Sequence, residues 1–149
     1  MKKIIFILVA ILMVSGIMIS HYYFSDYIKR VNNYSWVIEY NWDVKLPTDY
    51  TNAFDFNDES FQGEGVRYHI LEYNSEVELN NCLEWTQNVD PTIIDLANST
   101  IRSKNIDDKY VLKRDCSYKL FRKTRDDAYT LYIFFDEDLN TIYILEDIF

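Results

Sequence analysis

The chain has 149 residues, with 15 Lys and Arg against 24 Asp and Glu, a net charge of −9, and aromatic residues make up 17%. So large an acid excess repels nucleic-acid phosphates, and the aromatic content argues against intrinsic disorder. Three Gly and two Pro exclude a low-complexity, loop-dominated chain.

Lys2 and Lys3 precede an unbroken apolar run from Ile4 to Val14, which resumes at Ile17, Met18 and Ile19. Tyr22, Tyr23 and Phe24 follow. A positive end, an apolar middle and an aromatic collar are the parts of a membrane-crossing segment. Counted to Phe24, the segment covers a hydrocarbon core of ~30 Å at about 1.5 Å per residue. A cleaved signal peptide shares the charged start and apolar middle, and Val14-Ser15-Gly16 offers it a cut after Gly16. Either reading exports the rest, about 125 residues, enough for one domain with one core. The expected organisation is an anchor or signal over 1–24, a juxtamembrane lead over 25–35 and an extracytoplasmic domain over 36–149.

Trp36, Ile38, Tyr40 and Trp42 alternate with mostly polar residues, which predicts a strand from Trp36 to Leu46. The Asp-, Asn- and Ser-rich stretch from Thr48 to Gly65 reads as a long loop. Gly63-Glu64-Gly65 turns into a second strand, Val66 to Tyr73. Ser75 to Glu78 matches a capping box opening a helix to about Asn88, with Leu79, Cys82, Leu83 and Thr86 on its apolar stripe. Asp90-Pro91 opens a second helix with Ile93, Ile94, Ala97 and Ile101 inward. Arg102 and Lys104 suit that helix's C-terminal end.

Three strands close the chain: Ser117 to Lys123, Ala128 to Phe135 and Thr141 to Leu145. Asp126-Asp127 and Asp136 to Asn140 form the turns between them. The last two strands are apolar on both faces, so both faces should be covered. The expected fold is α+β. It comprises an antiparallel, meandering sheet in the order β-β-α-α-β-β-β with the helix pair on one face, after an N-terminal transmembrane or signal helix. Leu131, Ile133, Phe135, Ile142 and Ile144 are expected beneath the helices. The other face is left to the Thr48–Gly65 loop or to a partner.

Cys82 and Cys116 are the only cysteines. Outside the cytoplasm they can bridge, which would stabilise by about 3–4 kcal/mol for a loop of roughly 35 residues. The alternative is two separate thiols packed as small hydrophobes. Neither has a His nearby in sequence to activate it. His21 sits at the membrane boundary and His69 in a strand. No zinc spacing, P-loop, nucleophile elbow or dinucleotide fingerprint occurs, so no cofactor is implied.

Two acidic runs carry oxygens at alternate positions, as a calcium loop does: Asp55, Asn57 and Glu59, then Asp136, Asp138 and Asn140. Both lack the Gly at position six, and the second falls where a hairpin needs Asp and Asn for its turn.

Charge is partitioned along the chain. From Asp43 to Asp95 there are twelve acids and two bases, from Leu96 to Arg125 nine bases and three acids, and from Asp126 onward seven acids and no base. Lys113, Arg114, Lys119, Arg122, Lys123 and Arg125 cluster around the third strand. They either neutralise acidic neighbours or form a docking face for an anionic partner. The expected function is a non-enzymatic interaction module. It is attached to the membrane through its N-terminal segment, with the N-terminus inside, and meets a protein partner outside. Two alternatives stay open: secretion after signal cleavage, and a small hydrolase or calcium-dependent module using its carboxylates.

Overall fold

Among the described residues of the computed structural model, five antiparallel strands pair in the order β1-β2-β5-β4-β3. They are β1 (Tyr50–Asn57), β2 (Gly65–Tyr73), β3 (Tyr118–Arg125), β4 (Tyr129–Asp136) and β5 (Thr141–Ile148). Among the described residues there are four α-helices, α1 (Lys2–Val31), α2 (Tyr34–Trp42), α3 (Glu76–Cys82) and α4 (Pro91–Ser103), and a short 3-10 turn, Asp108–Tyr110. The structure describes residues 2–31, 33–58, 65–126 and 129–148, without the side chains of 2–12, 26, 29–31, 76–77 and 148. Gly63, Glu64, Asp127 and Ala128, assigned above to turns or a strand start, and Glu59 of the first acidic run lie outside these residues.

The chain divides into two units, Met1–Asp43 and Val44–Phe149. In the first, α1 runs on through the stretch expected to be a polar lead. Among the described residues no helix is long and apolar enough to cross a membrane, and the side chains of Ile4 to Leu12 fall outside that description. The expected strand at Trp36 is instead the helix α2. Asn33 caps it, its side chain accepting from Ser35 N at 3.0 Å. Asp43 ends it in the left-handed conformation at φ 52°, its N–H donating to Glu39 O. The alternation that suggests a strand is also two pairs four residues apart, Trp36 with Tyr40 and Ile38 with Trp42. In a helix each pair shares a side.

In the second unit, the stretch expected to be a loop forms β1. It pairs with β2 in register Tyr50↔Tyr73 to Asn57↔Arg67, with an irregularity between Asn52 and Phe54. Phe54 and Phe56 turn inward while Asp55 and Asn57 stay exposed. An edge strand tolerates this polarity because only one of its sides needs burying, and the bulge and the outward Asp and Asn discourage pairing with another chain. β3, β4 and β5 form a meander. β5 returns beside β2 with Gly65↔Ile148 and Glu72↔Thr141 at the ends of the register, so the sheet as a whole is not a simple meander.

Register sorts the side chains by face. Val66, Tyr68, Ile70, Tyr118, Leu120, Tyr132, Phe134 and Leu145 form one cluster with Ile94, Ala97 and Ile101 of α4. Leu71, Leu131, Ile133, Phe135, Ile142 and Ile144 point the other way and are buried too. The helices are therefore not paired on one face, and the five hydrophobic residues expected beneath them lie on the side away from α4. Trp85, just after α3, packs on Phe135 at 5.4 Å between ring centroids. Thr86 then pairs with Leu120 at the free edge of β3, through hydrogen bonds of 2.8 and 2.9 Å. The chain passes round that edge on its way to α4, so the two helices flank opposite faces.

α3 stops at Cys82, well short of Asn88. Ser75 occupies its N-cap without a side-chain capping bond, and of the predicted stripe only Leu79 is fully buried. α4 follows its sequence signals closely. The Asp90 carboxylate accepts from Thr92 N at 2.9 Å, Pro91 opens the first turn, and Ile94, Ala97 and Ile101 are buried.

Candidate functional site

One cavity of the second unit lies where β3 begins. The Thr86–Leu120 bridge pins residues 85–89, Asp90 fixes the start of α4, and the turn after β4 brings in Glu137. Gln87, Asn88, Cys116, Ser117, Tyr118 and Glu137 line a largely polar recess of about 180 Å³, floored by Val89 and Ile94. Asn88 holds a left-handed backbone at φ 56°. Small-molecule sites usually span about 300–1,000 Å³. This recess suits a few waters or one small polar group.

The thiol and the phenol of the recess are held protonated. Burial, then the nearby Asp136 carboxylate, push the Cys116 thiol up. Burial also raises the Tyr118 hydroxyl, which accepts from Lys113 N at 2.9 Å. Tyr143, outside the lining but edge-on to Tyr118 at 6.0 Å between ring centroids, is pushed up to about 12, first by burial and then by the charge of Asp136. A nucleophilic thiol needs the opposite environment, one that favours thiolate. The Cys116 thiol is therefore held in its weakly nucleophilic form.

Comparison with known protein families, curated proteins and solved structures finds no match.

Cys82 and Cys116 are both free. Cys82 ends α3 and donates to Leu79 O at 3.1 Å, with its pKa pushed up to about 11 by burial. Cys116 stands in the recess on the α4 side. The chain's passage round β3 separates them, and the bridge that the sequence allowed is not formed.

The basic residues do not form one surface. Register puts Lys119, Lys123 and Arg125 on one face of β3 and Arg122 on the other, over the Tyr132 ring at 5.4 Å. Arg114 pairs with Asp95 at 2.6 Å, Lys119 with Glu137, and Arg125 with Asp126 at 3.6 Å. Lys113 is exposed. The cluster divides between two faces, and among the described contacts Arg114, Lys119 and Arg125 meet carboxylates within this chain.

Asp136 and Asn140 act as turn residues. Asp136 is buried and accepts from Leu139 N at 3.2 Å, and Asn140 takes φ 50°. Asp138 is exposed between them. Asp55 and Asn57 stand on β1. Among the described residues no three His, Cys, Asp or Glu side chains are grouped as metal ligands.

Sequence reasoning missed two buried polar devices. Asn98 sits four residues after Ile94 on the inward stripe of α4. Its amide donates to Leu112 O at 2.8 Å and accepts from Leu112 N at 2.9 Å, fastening the irregular segment before β3. A polar residue on a buried stripe needs such a partner, and that signal was readable. Arg67 and Glu146 form an ion pair at 3.3 Å with Glu146 fully buried, on the face away from α4. They lie opposite one another in register across β2 and β5, which needs the strand order to see.

Proposed function

We propose that this chain is an extracytoplasmic binding domain held at a membrane by α1 and that it works by contact with a protein partner. One observation carries the reading. α1 is thirty residues long, and its described large apolar side chains are exposed, from Met13 at 66% to Phe24 at 65% and Tyr27 at 62%. The sequence shows no charged residue from Ile4 to Ser20. A helix apolar on every side is stable in hydrocarbon or within a core. Lys2 and Lys3, with no acid before Asp26, favour an N-terminus on the cytoplasmic side.

The recess at Cys116 supports binding over catalysis. It is small, and burial keeps its thiol and the Tyr118 phenol neutral. Recognition across a broad surface is the mode that remains for a domain of this size, and broad surfaces recognise proteins. With 24 acids against 13 bases after the leader, the domain disfavours nucleic acid and anionic partners.

Alkaline carbonate should leave the full chain in the membrane pellet, and protease added to intact cells should digest the chain beyond Phe24. A soluble mature protein beginning at Ile17 would replace the anchor with secretion. Photocrosslinking from the domain surface in intact cells should give a discrete protein adduct. Recovery of lipid adducts alone would remove the protein partner.

A further inference from the structure

The sheet has two edges, and they are built differently. β1 closes one with an irregularity between Asn52 and Phe54. β3 closes the other and pairs with β4 without a break in register, from Tyr118↔Asp136 to Arg125↔Tyr129. Part of the β3 edge is already occupied. The N–H and C=O of Leu120 both point away from β4 and bond to Thr86. Backbone direction alternates along a strand, so the N–H and C=O of Arg122 and of Thr124 point the same way. Among the described residues no backbone bond meets them on that side, and both residues are exposed. A regular strand with open backbone groups is a template for one more strand.

Charge decides which strand fits. Arg122 lies on one face of β3, and Lys123 and Arg125 lie on the other. An added strand sends its own side chains to both faces in alternation, so along the edge these bases flank a single line. Arg125 also meets Asp126 at 3.6 Å, with both side chains mostly exposed. β3 of a second copy would set like charges opposite one another, and β1 of a second copy is interrupted by its bulge. Acidic side chains are matched here. The acid excess of the whole domain repels a large anion, but charges beyond about 8 Å are screened at physiological salt. A short segment therefore meets mainly the bases beside it.

We propose that the β3 edge from Phe121 to Arg125 takes an extended, acidic segment of a protein partner as a further strand. Backbone bonds to Arg122 and Thr124 supply the affinity, and the flanking bases select the segment. The inference deepens the protein-partner reading and rests on it.

The test uses the full chain in neutral detergent micelles and a short capped peptide of Glu and Val. Adding it should slow hydrogen exchange at the amides of Arg122 and Thr124. The same peptide with Lys in place of Glu, or with its backbone nitrogens methylated, should give no protection. Arg122→Glu, a change at an exposed position, should abolish the effect of the acidic peptide while exchange in β4 and β5 stays as in the wild type. Equal protection by the methylated peptide would leave charge attraction alone and overturn the inference, as would no protection by any peptide. Protection that grows with protein concentration in the absence of peptide also overturns it, by making a second copy the occupant. In intact cells, a photoreactive group in place of Thr124 should crosslink to an acidic stretch of a protein. Protein adducts from other surface positions and none from this one overturn the edge and leave the partner reading standing. Lipid adducts alone from every position overturn both.

Discussion

The two faces of the sheet are buried by different chemistry. Away from α4, the centre is a patch of Leu71, Leu131, Ile133, Phe135, Ile142 and Ile144, each without measurable exposure. Its polar members, His69 and the Arg67–Glu146 pair, lie on the neighbouring rows of β2 and β5. The α4 face is instead rich in tyrosine. Tyr68 donates to Tyr110 O at 2.6 Å and Tyr118 accepts from Lys113 N, so aromatic bodies fill the core while their hydroxyls hold the irregular segment from 104 to 117. Phe54 stacks on Tyr110 at 3.9 Å and extends the same device to the edge strand β1. The first face depends on close packing. The second depends also on the paired hydroxyls of Tyr68 and Tyr118, so the two should fail differently.

The largest expected effect is on the aliphatic face. Phe135→Ala leaves a cavity beneath Trp85 and should cost about 3–5 kcal/mol, enough to unfold most domains of this size. Urea denaturation read by circular dichroism measures it. A loss below about 1 kcal/mol would mean that the face is loosely packed and the contrast with the tyrosine face is unfounded.

The same face should carry an acid sensitivity. Burial holds His69 down to about 4 from an ordinary 6.5, so the fold favours its neutral form. As pH falls through 6.5 the unfolded chain takes up the proton first. Stability should therefore be complete above pH 6.5, decline toward pH 4 and level off below. The total loss is about 3 kcal/mol. Carboxylates titrate in part of this window, so the measurement is the difference between wild type and His69→Gln. Parallel pH profiles for the two proteins would show that His69 is not the group responsible.

On the α4 face the corresponding break is smaller and polar. Asn98→Ala strands the N–H and C=O of Leu112 in a buried setting and should cost about 2 kcal/mol. Hydrogen exchange should report the damage locally, with faster exchange in 105–117 and little change in β4 and β5. Uniform acceleration across the sheet would mean that the segment folds as one with the core, and that Asn98 is not a local clasp.

The contrast also explains which parts of the chain were legible. β4, β5 and α4 declare themselves through features that do not depend on distant residues: a hairpin turn built on Asp136 and Asn140, two-sided apolar strands, and an Asp90-Pro91 helix start. Residues 34–57 were misread because their signals are ambiguous without the fold. Four apolar residues at alternate positions satisfy strand and helix alike when both sides of the element are apolar. The left-handed Asp43 that ends α2 is no different in sequence from any other Asp. β1 is an edge strand whose exposed side is Asn- and Asp-rich, a composition strands usually avoid. Parity told which residues share a face, but not which face α4 would take. The passage of Thr86 round β3 decides that, and with it the separation of Cys82 from Cys116 and of Arg122 from Lys119. The recess at Cys116 was likewise invisible, since its lining comes from three stretches that only the bridge and the turn bring together.

The smallest expected effect reverses the sign of the others. Asp147 shares the α4 face with Val66, and its Oδ1 is buried without a hydrogen-bond partner among the described residues. Burial raises its pKa, and Lys104 offsets this only in part because that ammonium is already committed to Asp58 at 2.6 Å. The two carboxylates make a contrast at close range. Burial also pushes Asp58 up, but Lys104 and the N–H of Val66, donating at 2.6 Å, outweigh it and hold the carboxyl below its ordinary value. An acid with a raised folded-state pKa binds its proton more tightly when folded. Its contribution to stability is therefore most favourable at low pH and is lost as pH rises through the unfolded value and then the folded one. At neutral pH the ionised Asp147 is a standing cost to the fold. Asp147→Asn should accordingly raise the melting temperature slightly at pH 7 and make no difference near pH 3, where the wild-type carboxyl is protonated in both states. Asp58→Asn should do the reverse, destabilising at pH 7 by removing the partner of Lys104. If Asp147→Asn instead lowers the melting temperature at pH 7, the carboxylate has a partner in the folded chain, and the tyrosine face satisfies its polar groups more completely than its described contacts show.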